Sequence, residues 1–263
     1  MCRHLAYLGP VTRLQSVIVD PPYGLSRQAW APRRQRYGTM NADGFGVGWY
    51  ADGDPDPARY RHPGPIWGDE SFADLARVTS AGAILAAVRS ATAGTDHGAA
   101  AIAPFASGPW LFSHNGRVDG WPGSIAGLAA TLPAEALLRL EARVDSALLW
   151  ALVLDRLRRG RTQAESLADV VAMLRDAGVT GRFNFLLTDG QAIAATTAGD
   201  TLFYRRREGS VLVASEPGDD EPGWAEVPGD CVVTATPQQV SVTSLAEATE
   251  PEKKSPNGRI AIR

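Results

Sequence analysis

The sequence predicts an α+β domain in which short strands near both ends of the chain enclose a helical middle section. Helical periodicity dominates from Ala134 to Asp176, whereas the segments on either side contain short β-rich runs separated by turn residues. Asp189-Gly190, between two such runs, is a strong hairpin signal. Because strands and helices are grouped and do not alternate, a layered α+β fold is favoured over repeated βαβ units.

The N-terminal part is predicted to contain two strands separated by irregular segments. His4–Leu8 is a short strand at the very terminus, and Gly44–Tyr50 is a glycine-containing strand that follows a turn. Pro21–Met40 has no regular period and holds a cluster of arginines, so we expect a surface loop there. A second loop is expected at Asp52–Pro65, where Pro, Asp and Gly are frequent.

The next segment is predicted to pass from one helix through two strands. Glu70–Thr79 carries apolar residues at helical spacing, and Ala83–Val88 is a continuous apolar run of the length of a buried strand. Trp110–Ser113 is another short strand. It leads into Asn115-Gly116, a dipeptide that tolerates positive φ, so the sequence predicts a turn after this strand.

The second half of the chain is predicted to change from helices to strands. Two or three helices fit between residues 134 and 176, with Gly160 as a C-cap. After the hairpin, further strands follow at Leu202–Arg205, Val211–Ala214 and Cys231–Thr236. The last stretch is polar, so the predicted domain covers residues 1–246 and a C-terminal tail covers 247–263.

The composition indicates a globular protein that acts on a small molecule. Its 263 residues are 44% hydrophobic, and a net charge of -3 lacks the positive charge expected of a nucleic-acid or anionic-membrane binder. The N-terminus does not resemble a signal peptide, and the longest apolar run, Ala147–Leu154, is too short to span a bilayer. Cys2 and Cys231 show no metal-binding or dithiol spacing. We expect a cytoplasmic protein with reduced thiols and no metal. The sequence leaves the oligomeric state open, and a homo-oligomer is one possibility.

Cys2 is the residue whose position in the chain indicates the most unusual chemistry. Removal of Met1 would leave a thiol beside a free α-amino group, whose ordinary pKa of about 7.7 to 8 suits it to accept the thiol proton. One residue would then supply both nucleophile and base. The alternative is that Cys2 is a small buried apolar residue.

Six short motifs follow one another along the chain: MCRHL at the terminus, DGFGVGWY, RSAT, HNG, DS before a helix, and ASEP. With cysteine at position 2, the ordered set resembles the class II glutamine amidotransferase family over residues 1–240. This resemblance implies a four-layer αββα sandwich of the N-terminal-nucleophile hydrolase type. It also implies an amidohydrolase that attacks γ-glutamyl amides without a cofactor.

The resemblance implies that Cys2 is the nucleophile and that Asn115 and Gly116 form the oxyanion hole. A side-chain amide and a backbone N–H would there meet the charge that forms on the carbonyl oxygen. The competing interpretation of Asn115-Gly116 is an ordinary turn. His114, the preceding residue, could form a Cys–His dyad, but a structural role is favoured.

Three further residues are implied to bind the glutamyl group. Arg89 would pair with its α-carboxylate through a planar guanidinium, and Thr92 would add polar contacts at the same end. Asp145 would bind the α-ammonium group. The alternatives are a solvated surface charge for Arg89, an ordinary loop threonine for Thr92 and a helix N-cap for Asp145.

The substrate is expected to be a γ-glutamyl compound other than glutamine, because only a tail follows the amidase domain and no synthase is expected on this chain. Among free-standing family members, the motif spacing is most similar to the amidases of ergothioneine biosynthesis, which remove glutamate from γ-glutamyl-hercynylcysteine sulfoxide. Three alternatives stay open: a glutaminase subunit that supplies ammonia to a separate synthase, a γ-glutamyl peptide hydrolase acting on glutathione-like substrates, and a non-catalytic binding protein that uses the same fold.

The leaving group is expected to contact the loops around Trp30 and Asp52–Pro65. A hercynyl group carries a trimethylammonium, which aromatic faces commonly receive. The candidate aromatic residues are Trp30, Tyr37, Trp67 and Trp110.

Overall fold

A computed structural model describes residues 2–92 and 94–249, which form thirteen strands and eight helices. The strands are β1 Arg3–Arg13, β2 Phe45–Trp49, β3 Ala58–His62, β4 Ser80–Val88, β5 Phe105–Ser107, β6 Trp110–Val118, β7 Gly181–Thr188, β8 Ile193–Thr197, β9 Phe203–Arg207, β10 Ser210–Ala214, β11 Trp224–Glu226, β12 Cys231–Ala235 and β13 Val240–Ser244. The helices are α1 Leu14–Ile18, α2 Leu25–Gln28, α3 Glu70–Val78, α4 Ala126–Ala129, α5 Ala134–Leu138, α6 Asp145–Arg158, α7 Gln163–Asp176 and α8 Leu245–Thr249. None of these helices has the length and apolar character needed to cross a membrane.

The strands form two antiparallel sheets. One sheet has seven strands in the order β11-β9-β10-β1-β4-β2-β3, and the other has six in the order β13-β12-β8-β7-β6-β5. The N-terminal strand β1 lies in the interior of the seven-stranded sheet, between β10 and β4. Because β1 has hydrogen-bonded neighbours on both sides, the backbone next to Cys2 is firmly held.

Three apolar clusters separate four layers. One cluster lies between the six-stranded sheet and helices α6 and α7, and another lies between the seven-stranded sheet and helices α1 to α3. The third fills the space between the two sheets. The layer order helix, sheet, sheet, helix confirms the predicted α+β class and the αββα sandwich implied by the resemblance.

Side-chain alternation along β1 determines which face carries the N-terminal residues. Leu5 packs towards the helices, whereas Ala6 and Leu8 pack between the sheets. Because successive strand residues point to opposite faces, His4 and Cys2 share the face of Ala6. The space between the sheets therefore leads directly to Cys2.

Two segments that were predicted to be loops contain regular structure. Pro21–Met40 includes α2, in which Leu25 and Gln28 are buried. Asp52–Pro65 includes β3, which pairs with β2 at the edge of its sheet. The sequence conceals both elements, because four residues are too few to show a helical period and β3 has charged residues without a buried apolar face.

The predicted turn at Asn115-Gly116 is wrong, because β6 continues through both residues to Val118. Asn115 lies opposite Asn184 and Gly116 lies opposite Phe183 in the β6–β7 ladder. A Cβ atom at Gly116 would lie 1.9 Å from the Arg182 carbonyl oxygen. The glycine is therefore required by the close approach of the neighbouring strand and not by a turn.

Helix α8 crosses the predicted start of the tail at residue 247. Its first residue, Leu245, is buried in the cluster formed with α6 and α7, so residues 247–249 belong to the folded domain. The remainder of the predicted tail, residues 250–263, lies outside the described residues.

Candidate active site

The register of the central strands brings Cys2 and Arg89 to the same end of the molecule. Arg3 lies opposite Val88 in the antiparallel β1–β4 ladder, so Cys2 and Arg89 are the next residues in the same direction. The Arg89 backbone N–H donates to the Gly44 carbonyl at 2.7 Å, which continues the β2–β4 pairing. Two residues that are 87 positions apart thus become neighbours through strand pairing.

Asn115 contacts Cys2 directly from the opposite sheet. The Cys2 backbone nitrogen donates to Asn115 Oδ1 at 3.2 Å, and Asn115 is fully buried. This contact assigns the orientation of the amide, because Oδ1 accepts from Cys2 and Nδ2 is left as a donor. The nearest partner of Nδ2 is Ser215 Oγ at 3.5 Å, so its hydrogen-bonding capacity is only weakly used.

The Gly116 backbone N–H points away from the β6–β7 ladder. Phe183, opposite Gly116, donates its own N–H to the Ala198 carbonyl on its other side, so this is a non-hydrogen-bonded pair. Two residues later, the Val118 N–H also points away from β7 and donates to Asp145 Oδ2 at 2.9 Å. The side-chain amide of Asn115 and the backbone N–H of Gly116 can therefore both serve as donors for an oxyanion.

Arg89 is buried, but only part of its guanidinium is engaged. Nη2 donates to Thr95 Oγ1 at 3.1 Å and to the Asp96 carbonyl at 2.8 Å, whereas Nη1 has no hydrogen-bond partner in the described residues. A fixed guanidinium with a free buried donor is suited to bind a carboxylate. Arg89 is therefore not the solvated surface charge of the alternative interpretation. The threonine that contacts the Arg89 side chain is Thr95, which was not predicted from the sequence; the Thr92 carbonyl accepts from Thr95 Oγ1 at 2.6 Å.

Asp145 is buried at the start of α6, where its carboxylate connects the helix to β6. Oδ2 accepts from the Val118 N–H, and Oδ1 accepts from the Ser146 N–H at 2.8 Å. The N-cap position is occupied by Val144, so the N-cap interpretation of Asp145 is wrong. Asp145 thus contacts β6 at Val118, two residues after Gly116.

His114 has a structural environment, as favoured from the sequence. Its Nε2 is 2.8 Å from the Arg182 carbonyl, which can only accept, so Nε2 carries the proton and Nδ1 accepts from Ser146 Oγ at 3.0 Å. Burial lowers the pKa of His114 below its usual value. A neutral ring with both nitrogens engaged holds β6 in place and is not available to form a dyad with Cys2.

A layer of buried polar residues around Cys2 and Asn115 was not predicted. His4 Nδ1 lies 3.2 Å from Ser113 Oγ, and the His4 backbone N–H donates to Ser215 Oγ at 3.0 Å. Ser113 and Asn115 are two residues apart in β6 and so share a face, but the sequence gives no alternating signal there, because the intervening His114 is also polar. Burial, with the nearby His114 and Arg3, lowers the pKa of His4 to about 3.

The low histidine pKa values predict that the protein loses stability in mild acid. The unfolded chain binds protons at these histidines below about pH 6.5, whereas the folded protein keeps them neutral. The contribution of His4 is constant above pH 6.5 and falls as the pH drops from 6.5 towards 3, by at most about 1.4 kcal/mol per pH unit, and the contribution of His114 has the same sign. Urea unfolding at pH 7 and pH 5 measures this slope.

The matched variants for this slope are His4→Asn, which removes a buried histidine, and His97→Asn, which removes an exposed one. We expect a shallower pH dependence of the unfolding free energy in His4→Asn and the wild-type dependence in His97→Asn. An unchanged slope in folded His4→Asn would show that His4 is not the group that titrates.

The four candidate aromatic residues lie in different places. Tyr37 is half exposed and its ring is 4.5 Å from the Arg182 guanidinium carbon, whereas Trp30 is stacked against Arg27. Trp110 begins β6, five residues before Asn115, and is thus at the far end of the strand. Trp67 lies in a short 3-10 helix before α3. Tyr37 is therefore the aromatic residue that the structure connects to β7, the strand that pairs with Gly116.

The loop between β2 and β3 also lies away from Cys2. Phe45 pairs with Val88 near the site, so the strand leaves the site and Trp49 is at its far end. Asp52 lines a cavity with Leu8 and Gly9, which are several residues along β1 from Cys2. The geometry therefore does not support the predicted contact between the leaving group and the part of Asp52–Pro65 that lies near Asp52.

The sequence is similar to proteins named as hydrolases along almost its whole length. The family description of class II glutamine amidotransferases matches residues 16–210. The chain is 42% identical over 251 residues to the γ-glutamyl-hercynylcysteine sulfoxide hydrolase of Mycobacterium tuberculosis strain H37Rv, which covers 95% of this chain and 100% of that protein. The protein of the same name from Mycolicibacterium smegmatis is 41% identical over 245 residues, covering 93% and 100%.

A solved structure has the same overall fold. The glutamine aminotransferase class-II domain protein from Silicibacter pomeroyi matches with a TM-score of 0.69, covering 93% of this chain and 99% of that one. The two sequences are 24% identical, so this similarity concerns the fold alone. It agrees with the four-layer order of helices and sheets described above.

Proposed function

The chain belongs to the class II glutamine amidotransferase family, and from this premise we propose that it hydrolyses the γ-glutamyl amide of γ-glutamyl-hercynylcysteine sulfoxide. Glutamate and the hercynylcysteine sulfoxide amine are the products, as in the amidase step of ergothioneine biosynthesis. The observation that carries the proposal is the 42% identity, over 95% of the chain, to a hydrolase of that name. The arrangement of Cys2, Asn115 and Arg89 supports the same chemistry.

The reaction begins at Cys2. In the mature chain, Cys2 is the first residue, and its α-amine takes the thiol proton directly or through one water. The thiolate attacks the γ-carbonyl carbon of the substrate. The proton held by the α-amine then passes to the departing nitrogen, which leaves as a neutral amine.

Asn115 and Gly116 stabilise the oxyanion that forms in this attack. The Cys2 nitrogen holds Asn115 Oδ1, so that Nδ2 donates to the developing negative charge. The Gly116 N–H is the second donor, because the ladder with β7 does not use it. Both donors belong to β6 and are already oriented before the substrate binds.

Arg89 and Asp145 bind the glutamyl group at its two charges. The guanidinium edge of Arg89 that includes Nη1 pairs with the α-carboxylate, while Thr95 and Asp96 hold the other edge. Asp145 receives the α-ammonium. Thr92 adds contacts at the carboxylate end, as the resemblance implies. Water finally hydrolyses the γ-glutamyl thioester, which releases glutamate and restores the Cys2 thiol.

The preferred substrate tests the proposed function. We expect kcat/KM to be highest for γ-glutamyl-hercynylcysteine sulfoxide, lower for glutathione and lowest for glutamine. A hydrolase gains rate from leaving-group contacts that strengthen in the transition state, and glutamine lacks those contacts. Glutamate release with each substrate, measured under the same conditions, determines the order.

The other possible orders identify the alternatives. A clear preference for glutamine would contradict the proposal and indicate a glutaminase subunit that supplies ammonia. A preference for glutathione would instead indicate a γ-glutamyl peptide hydrolase.

A further inference from the structure

Arg182 lies on the same face as Asn115, at the mouth of the space between the sheets. The β6–β7 ladder pairs Asn115 with Asn184 and Arg117 with Arg182. Paired residues of an antiparallel ladder point to the same face, so the Arg182 side chain lies about 7 Å beyond Asn115 towards the strand end. Its carbonyl accepts from His114 Nε2, which ties Arg182 to the strand that carries the oxyanion donors.

The Arg182 guanidinium is oriented by its neighbours but not saturated by them. Its carbon lies 4.5 Å from the Tyr37 ring centre, and its Nε lies 3.5 Å from Asp200 Oδ2. Within residues 2–92 and 94–249, this Nε has no hydrogen-bond partner. Nε itself is buried beside Asp200, so the 13% of the side chain that is exposed belongs to its other atoms, and a ligand can reach the guanidinium there. A stacked guanidinium with free donors is an anion-binding group.

Asp200 is itself held in position by the strand opposite Asn115. Asn184 Nδ2 donates to the Asp200 carbonyl at 2.9 Å, and the Asp200 N–H donates to Asn184 Oδ1 at 3.0 Å. The Asp200 carboxylate is fully buried and also lies 4.0 Å from Arg3, the residue after Cys2. Asp200 and Tyr37 are therefore positioning residues for Arg182, built onto the same framework as the catalytic residues.

The substrate of the proposed reaction carries two carboxylates near the scissile bond. One belongs to the glutamyl group, for which Arg89 is the partner on the seven-stranded sheet. The other belongs to the amino acid that is released, and it is attached to the carbon that bears the scissile nitrogen. The carboxylate of the released amino acid requires a second cationic partner. Arg182 lies in β7 of the six-stranded sheet, across the space between the sheets from Arg89, and can provide this cation.

We propose that Arg182 binds the carboxylate of the amino acid released from the γ-glutamyl group. Arg182 thereby selects γ-glutamyl amino acids over glutamine and over γ-glutamyl amines that lack this carboxylate. The inference rests on the proposed function, because it requires an amino-acid leaving group.

Two substrates that differ only in the carboxylate test this role: γ-glutamyl-alanine and γ-glutamyl-ethylamide. We expect the wild-type enzyme to prefer γ-glutamyl-alanine in kcat/KM. Arg182→Gln should lower kcat/KM for γ-glutamyl-alanine by about 10- to 100-fold, the range for a lost hydrogen bond to a charged group, and leave the ethylamide nearly unchanged. Binding of the same pair to Cys2→Ala protein, measured by calorimetry, gives the preference independently of turnover.

Arg117→Gln is the matched control. Arg117 lies opposite Arg182 on the same face, but it is 53% exposed and its Nε donates to Asp119 at 2.7 Å. It should keep the wild-type preference. An equal loss with both substrates in folded Arg182→Gln, or an unchanged preference, overturns the inference. Hydrolysis of γ-glutamyl-hercynylcysteine sulfoxide by the wild-type enzyme is measured separately. If this hydrolysis is absent, or if glutamine is preferred, the proposed function itself has failed.

Discussion

Replacing Cys2 by alanine should reduce kcat for the γ-glutamyl substrate by about 10⁶-fold, the scale found when the nucleophile of a hydrolase is removed. Alanine keeps the small size of the residue and leaves the β1 backbone and its pairing with β4 and β10 intact. Substrate binding through Arg89 should therefore persist. Glutamate release and calorimetric binding of the substrate measure the two effects separately.

Cys231→Ala is the control for this variant. Cys231 is the other free cysteine, at the start of β12, and burial raises the pKa of its thiol, which disfavours the thiolate. It should keep wild-type kcat. Substantial turnover by folded Cys2→Ala protein would place the nucleophile elsewhere.

Replacing Asn115 by alanine should lower kcat by about 100- to 1000-fold, the usual cost of one oxyanion donor. The Gly116 N–H remains in the variant, so residual activity is expected. Because the donor acts on charge that develops in the transition state, KM should change less than kcat. Steady-state kinetics with the preferred substrate distinguish these parameters.

Ser113→Ala is a matched control on the same face of β6, two residues before Asn115. Its hydroxyl contacts His4 and not Cys2, so this variant should keep most of its kcat while losing some stability. A kcat in Asn115→Ala equal to that of the wild type, in protein with a normal melting temperature, would exclude Asn115 from the oxyanion hole.

Local patterns in the sequence predicted much of the fold. The helical period between residues 134 and 176, the apolar run of β4 and the Asp189-Gly190 hairpin all appear in the structure. These features depend on nearby residues, so one sequence is sufficient to predict them. The four-layer order depended on the family resemblance, because the pairing of β1 with β4 and β10 joins segments that are distant in sequence.

The candidate site was predicted by motif order, and its geometry came from strand pairing. The structure brings Cys2 next to Asn115 and places Arg89 directly after the neighbouring strand β4, and the roles proposed for them stay predictions. Asn115-Gly116 was misinterpreted because its local turn propensity is overridden by pairing with β7. Thr95 and Arg182 were missed because their contacts are made across loops and between strands, which local spacing does not encode.

The most direct test of the account is the covalent state of Cys2. Wild-type protein is treated with a γ-glutamyl chloroketone, with and without competing substrate, and the intact mass and the modified peptide are determined by mass spectrometry. We predict a chain that begins at Cys2 and carries one γ-glutamyl adduct on the Cys2 thiol. Competing substrate should reduce the formation of this adduct. Retention of Met1 in fully active enzyme, or an adduct on Cys231 with Cys2 unmodified, would contradict the proposal that Cys2 is an N-terminal nucleophile.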